Sequence, residues 1–294
     1  MRKETERLVS YLENEKGFPK NVTPSLGEIV DGMVTRSPRR KNHIYSVIRN
    51  LKFSKSEIDT GMEKNEDMFE YIFSGQFGSD PMFKRTVFGK VKLAKVMDLL
   101  ALDFDFDTGK SAHIELLSHE LGHGIHRKID INKETGDLEV RVNCHTRKNR
   151  IITTNKTITT ELVSEHAKAV GEAVNNFNSV KLLEMIYGKW DYCKGHSHST
   201  RATTLIEQLC DKYNIAGEVF ECDEQLDYGI LREAIDKKTR VNSALFRKLT
   251  PAEVLYNYCE EMHTAYIEKF KNPIDDYLLA TEKPTEQVRE YFRL

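Results

Sequence analysis

Ile114-Glu115-Leu116-Leu117-Ser118-His119-Glu120-Leu121-Gly122-His123-Gly124-Ile125-His126 is the run from which the rest of the chain is best approached. It contains the pattern H-E-x-x-H. On a helix, positions four apart share a face, so His119 and His123 can both reach one metal ion, with Glu120 beside that face to take a proton from water. With His119 at zero and about 100° per residue, Leu117, Leu121, Ile114 and Ile125 fall in one stripe about 160° to 240° away. Chemistry therefore faces one way and packing the other. His126 falls within about 20° of His119 and can line the same cleft.

Outside this run, bulk properties narrow the field. A chain of 294 residues can bury one large core or two modest ones. Its net charge of −2 gives no global attraction to nucleic acid or to an anionic membrane. Five cysteines (Cys144, Cys193, Cys210, Cys222, Cys259), odd in number and without a C-x-x-C pair, argue against a disulfide framework and against a cysteine zinc ribbon. A reducing compartment is the simpler expectation. The opening Met1-Arg2-Lys3-Glu4-Thr5-Glu6-Arg7 is charged and lacks a long apolar run, so no signal peptide is expected, and no stretch is apolar enough to span a membrane. The protein is expected in the cytoplasm; delivery into a host cell by a leaderless secretion system would leave no mark on these residues.

Residues 5–15 form an expected helix with Leu8, Val9 and Leu12 on one side, stopped by Gly17-Phe18-Pro19. Ser25 and Glu28 have capping-box spacing for a helix through Ile29, Val30 and Met33. Ser37-Pro38 offers an N-cap and first-turn proline for a second helix carrying Ile44, Val47, Ile48 and Leu51. Two short helices, the second opening with Arg39, Arg40 and Lys41, have the form of a helix-turn-helix. The run Glu28 to Pro38 resembles the corresponding part of LexA-type winged-helix repressors, in which the second helix enters the major groove. The next segment, Lys52 to Lys64, has the pattern of loop and helix and not of a wing. A helical pair with a solvated basic turn is the plainer reading.

A further helix is expected from Ser54 and Glu57 to about Phe73, then a turn-rich stretch, Ser74 to Pro81, as the domain boundary. Two domains follow from this: a helical region over 1–80 and a catalytic domain over 81–294. Residues 83–101 are mixed, with a helix expected toward their end. Leu102-Asp103-Phe104-Asp105-Phe106-Asp107 alternates strictly and predicts an edge strand. A calcium loop would need Gly and Glu where Thr108 and Ile114 stand, so it is excluded; a D-x-D metal–nucleotide site is the other alternative. Residues 138–145 and 151–154 predict a hairpin around Arg147-Lys148-Asn149-Arg150.

Tetrahedral zinc held by two histidines needs a third protein ligand and a water. A helix expected from Thr159 carries Glu161 and Glu165 four residues apart, so both can face the metal helix, and Ser164, Ala167 and Ala169 allow close approach. The two motifs together, His119-Glu120-Leu121-Gly122-His123 and Glu161-Leu162-Val163-Ser164-Glu165, resemble the gluzincin metallopeptidases over about 60 residues. The H-E-L-G-H form is similar to ImmA/IrrE peptidases, and E-L-V-x-E to antirestriction-associated zincin domains. The resemblance implies a zincin-like fold with zinc bound by His119, His123 and Glu161, and the second acid, Glu165, steadying a ligand histidine. His145 and Glu172 are alternatives to Glu161. No H-x-x-G-x-x-H follows His123, which separates the chain from metzincins.

Zincins usually add a donor for the developing oxyanion. Tyr187, Tyr192, His196 and His198 are the candidates, Tyr187 and His198 foremost; a solvated loop is the plain alternative for the last two. Helices are expected over 201–213 and 228–237. Another opens at Thr250-Pro251-Ala252-Glu253, a capping box, with Leu255, Tyr258, Met262, Tyr266 and Phe270 as a core stripe. The expected fold is α+β and predominantly helical: a zincin-like domain with a small hairpin and edge strand behind an N-terminal helical region. The expected function is zinc-dependent endopeptidase acting on a protein substrate, either a bacterial effector or an intracellular regulatory protease. The alternative is a DNA-associated regulator with an N-terminal helix-turn-helix and a regulatory zincin domain. A zincin shell that has lost activity and only binds partners is a third. Specificity and oligomeric state are not legible in the residues.

Overall fold

The structure, a computed structural model, describes residues 1–54, 75–85, 91–102, 111–125, 127–131, 138–142, 145–151, 158–162, 165–190, 200–225, 227–271 and 284–294. The described residues are predominantly helical. They divide into two units: Met1–Ile125 with Ser179–Cys193, and His126–Asn178 with Lys194–Leu294. This division does not follow an expected boundary near residue 80. Most of the turn-rich stretch there lies within a strand, Gly75–Arg85.

The first unit opens with α1 (Lys3–Lys16), α2 (Thr23–Arg36) and α3 (Lys41–Asn50). Gly17 at φ 71° ends α1, and the Phe18 amide donates to the Leu12 carbonyl at 3.0 Å. Phe18 is buried, so this is a helix stop sealed by an apolar residue just beyond it. Helix α2 begins two residues before Ser25, with Pro24 in its first turn and no side-chain cap, so Ser25 is not its N-cap. Ser37 likewise makes no cap bond; a 3-10 turn over Pro38–Arg40 leads into α3.

Strands β1 (Leu51–Ser54), β2 (Gly75–Arg85) and β3 (Val91–Leu102) form a sheet of order β1-β3-β2, with β3 parallel to β1 and antiparallel to β2. The helix expected near 96–100 is thus the central strand, and the first residues of the expected loop at 52–64 are strand. Helix α4 (Ser111–Ile125) carries the H-E-x-x-H run and packs against β2, α2 and α3. Its apolar face, Leu117, Leu121 and Ile125, shares one core with Leu26, Ile29, Ile44, Ile48 and with Leu182 and Leu183. Burying one such side chain contributes about 1.5–3 kcal/mol, and this stripe is what orients the helix.

In the second unit, β4 (Arg127–Ile131), β5 (Leu138–Val142), β6 (His145–Ile151) and β7 (Ile158–Leu162) make an antiparallel sheet in sequence order. Arg147 to Arg150, expected as a turn, lie inside β6; Arg147 to Asn149 pair on both sides and Arg150 with β7. Helix α5 (Glu165–Tyr187) gives its first part, to Asn178, to this unit and its remainder to the first. Then come α6 (Thr200–Tyr213), α7 (Ala216–Gln225), α8 (Tyr228–Lys238), α9 (Pro251–Lys271) and α10 (Glu286–Tyr291).

Their core gathers Val170, Phe177, Leu205, Leu209, Leu231, Leu255 and Tyr258. Tyr291 and Phe292 sit in the same core, and the Tyr213 hydroxyl donates to the Phe292 carbonyl at 2.6 Å. The box at Thr250 forms as its spacing predicts: the Thr250 amide donates to Glu253 Oε2 at 2.8 Å and the Glu253 amide to Thr250 Oγ1 at 3.3 Å. Leu255, Tyr258 and Met262 are buried as expected; the side chains of Tyr266 and Phe270 lie outside the described set. Cys210, Cys222 and Cys259 are buried and not joined in disulfides. Burial pushes Cys259 up to about 12 and Cys222 well above the usual thiol value.

Among the described residues no helix is long and apolar enough to cross a membrane. The expected helix at 55–73, the Asp103–Asp107 alternation, His126, Cys144, Cys193, Tyr192, His196 and His198 all lie outside the described residues.

Candidate functional site

The site begins with a helix that forms as its periodicity predicts. Helix α4 spans Ser111–Ile125, so His119 and His123 stand one turn apart on one element. His119 is buried (5 % exposed), Glu120 half-buried, and Leu121 and Gly122 buried. Leu117 and Leu121 are fully buried, and the polar Glu115, Ser118 and His119 of the same helix are buried as well. Two imidazoles a turn apart are a donor pair whose chemistry suits zinc.

Glu161 and Glu165 do not share a helix face. Glu161 lies on β7, opposite Lys148 of β6, and Glu165 is the first residue of α5. Glu161 and Glu172 belong to the second unit, and the two histidines to the first. Glu172 is buried on α5, where Asn175, Asn176 and Ser179, three, four and seven residues further on, extend a polar helix face that is also buried. Among the described residues no group of three or more His, Cys, Asp or Glu is gathered to hold a metal. The side chains of His123, His145 and Glu161 lie outside that description.

Of the oxyanion candidates, Tyr187 is described. It ends α5, and its hydroxyl donates to Glu28 of α2. Burial, then that bond, hold its phenol above the ordinary tyrosine value. Its one proton is committed, so stabilising an oxyanion would require it to change partners.

Three features near the helix escape a sequence reading. Trp190 Nε1 donates to Glu115 Oε2 at 3.3 Å, setting an indole N–H against a buried carboxylate one turn before His119. Trp190 also lies 5.5 Å from the Tyr187 ring. At the other end of α4, the Ile125 carbonyl accepts from Arg40 Nη2 at 2.6 Å and from His43 Nε2 at 3.0 Å. Glu115 had a signal, its four-residue spacing from His119; Trp190, Arg40 and His43 had none, being distant in sequence.

The basic turn of the expected helix-turn-helix is therefore largely engaged within the first unit. Arg40 serves α4, and Lys41 pairs with Glu4 and lies over the Tyr45 ring at 5.9 Å. Arg39 is exposed.

The second unit has its own buried polar cluster. Asp223, fully buried, accepts from Asn178 Nδ2 at 3.0 Å and from the Tyr228 hydroxyl at 3.4 Å. No family model matches this chain, and no curated protein or solved structure matches it.

Proposed function

We propose that the chain is a zinc-dependent metalloendopeptidase of gluzincin type, acting on a protein substrate. One observation supports the reading: H-E-x-x-H occupies one helix, α4, whose leucines are buried in the core, with His119 buried and Glu120 half-buried on the same element. His119 and His123 would hold zinc, with Glu161 as the third ligand implied by the family resemblance and Glu172 or His145 as the alternatives. Zinc, when bound, supplies Lewis acidity toward a carbonyl and toward water.

Glu120, next to the first imidazole and half-buried, accepts the proton of the attacking water and passes it to the leaving nitrogen. Strand β2 supports a peptide substrate: it packs against α4 and, among the described residues, has a strand partner on one side alone. An extended chain can add to such an edge through main-chain hydrogen bonds. Pro81 in β2 accords with an edge position, since a central strand would lose a ladder bond there. His198 and Tyr187 are the candidate oxyanion donors, Tyr187 after release from Glu28.

The test is metal content and hydrolysis of a peptide library by the wild type, Glu120→Gln and Glu161→Ala. The reading requires zinc in the wild type and in Glu120→Gln, with turnover lost in the latter. Zinc content unchanged in Glu161→Ala removes that residue from the site, and hydrolysis that survives Glu120→Gln removes the general base.

A further inference from the structure

We propose that Arg40 and His43 are positioning residues for this site, fastening the last turn of α4 through the Ile125 carbonyl and so fixing where His123 stands. The inference rests on the zinc reading above and adds to it a part played by the N-terminal helices. The final carbonyls of a helix have no partner within it, and that end carries negative partial charge. Here the carbonyl accepts two bonds, at 2.6 and 3.0 Å, from residues 85 and 82 positions earlier.

The turn being held is intrinsically weak. His123 is flanked by Gly122 and Gly124, and glycine disfavours a helix interior more than any residue but proline. Ile125 is gripped a second time through its side chain, which is 2 % exposed in one core with Ile44, Ile48 and Leu121. Main chain and side chain of one residue are thus both tied to the segment 40–48, and His123 lies two positions before it. Metal–donor distances tolerate about 0.2 Å. Fraying of this turn would displace the second imidazole and leave His119, one turn deeper in the helix, where it is. Arg40 therefore acts on the metal through the backbone of α4.

The experiment uses the full chain as wild type, Arg40→Gln, His43→Gln, the double variant, Arg40→Lys, and Arg39→Gln as a control that removes an exposed charge from the same turn. Zinc affinity is measured by competition with a chromophoric chelator, the cobalt(II) form by its visible spectrum, and the apo proteins by amide exchange.

Arg40→Gln should weaken zinc about tenfold and the double variant more, the scale on which ligand-supporting contacts act. The cobalt spectrum should shift and exchange over residues 122–125 should quicken. Arg40→Lys should recover part of the affinity, and Arg39→Gln should match the wild type. Wild-type zinc affinity and cobalt spectrum in a folded Arg40→Gln or double variant would overturn the positioning role and leave the metal site standing. A wild type that takes up no zinc would overturn the metal site and this role together. Should Arg40→Gln fail to fold, His43→Gln decides by the same measures, unchanged affinity again overturning the role.

Discussion

Helices α4 and α9 are secured in different ways, α4 at its last turn and α9 at its first. Helix α9 carries its own start signal: Thr250 and Glu253 exchange hydrogen bonds across three residues, with Pro251 in the first turn. Helix α4 depends on residues more than 80 positions away to hold its last carbonyl. Both bury an apolar stripe, so the core does not distinguish them. The difference teaches that a helix built for packing can carry much of its start signal in its own first turn, with the Ala252 amide also donating to Asp236 at 2.8 Å, while one that carries chemistry, with glycines beside a ligand, is held at its last carbonyl by residues far away in sequence.

The comparison is broken most severely by paired glutamates. Glu120→Gln on α4 should lower peptide hydrolysis about a hundred- to ten-thousand-fold with zinc retained, and Glu253→Gln on α9 should leave turnover at the wild-type level. Steady-state kinetics with metal analysis checks both. If the cores are equivalent, Leu121→Ala and Leu255→Ala should each cost about 2–5 kcal/mol in denaturant unfolding, since both side chains are fully buried. Next in size, Thr250→Ala removes one side of the box and should cost about 1 kcal/mol, without effect on zinc. A cost near zero would mean that the bond from the Ala252 amide to Asp236, and not the box, holds the start of α9.

The smallest effect concerns pH. The Lys238 ammonium, chiefly through its hydrogen bond, holds the Glu218 carboxyl below the ordinary value. A lowered folded value stabilises above the unfolded pKa and is lost as pH falls through the folded one. The stability difference between wild type and Lys238→Met should therefore be present at neutral pH and vanish on acidification below the usual glutamate range. Thermal melts across that range measure it, and a difference that grows toward acid would contradict the assignment.

What could be foreseen from the residues follows the same contrast. The α4 helix, the Gly17 stop, the Thr250 box and the Leu255–Tyr258–Met262 stripe are local patterns, and each forms. Strand β3 was hidden because Val91-Lys92-Leu93-Ala94-Lys95-Val96-Met97 fits helical and alternating periods alike; its partners, β1 and β2, settle the matter from outside the segment. Glu161 is a different case. Ile158-Thr159-Thr160 is rich in β-branched residues, a strand signal that the E-x-x-x-E spacing outweighed. In the candidate site, the helix and its two histidines were legible, whereas Arg40, His43 and Trp190 became visible only with tertiary structure.

Trp190 is the single tryptophan of the chain, and its indole N–H rests on Glu115, four residues from His119. Intrinsic emission excited at the red edge thus comes from one known position beside the turn of interest. Events at that turn can be followed by eye of the spectrometer alone, in the unlabelled protein and at micromolar concentration.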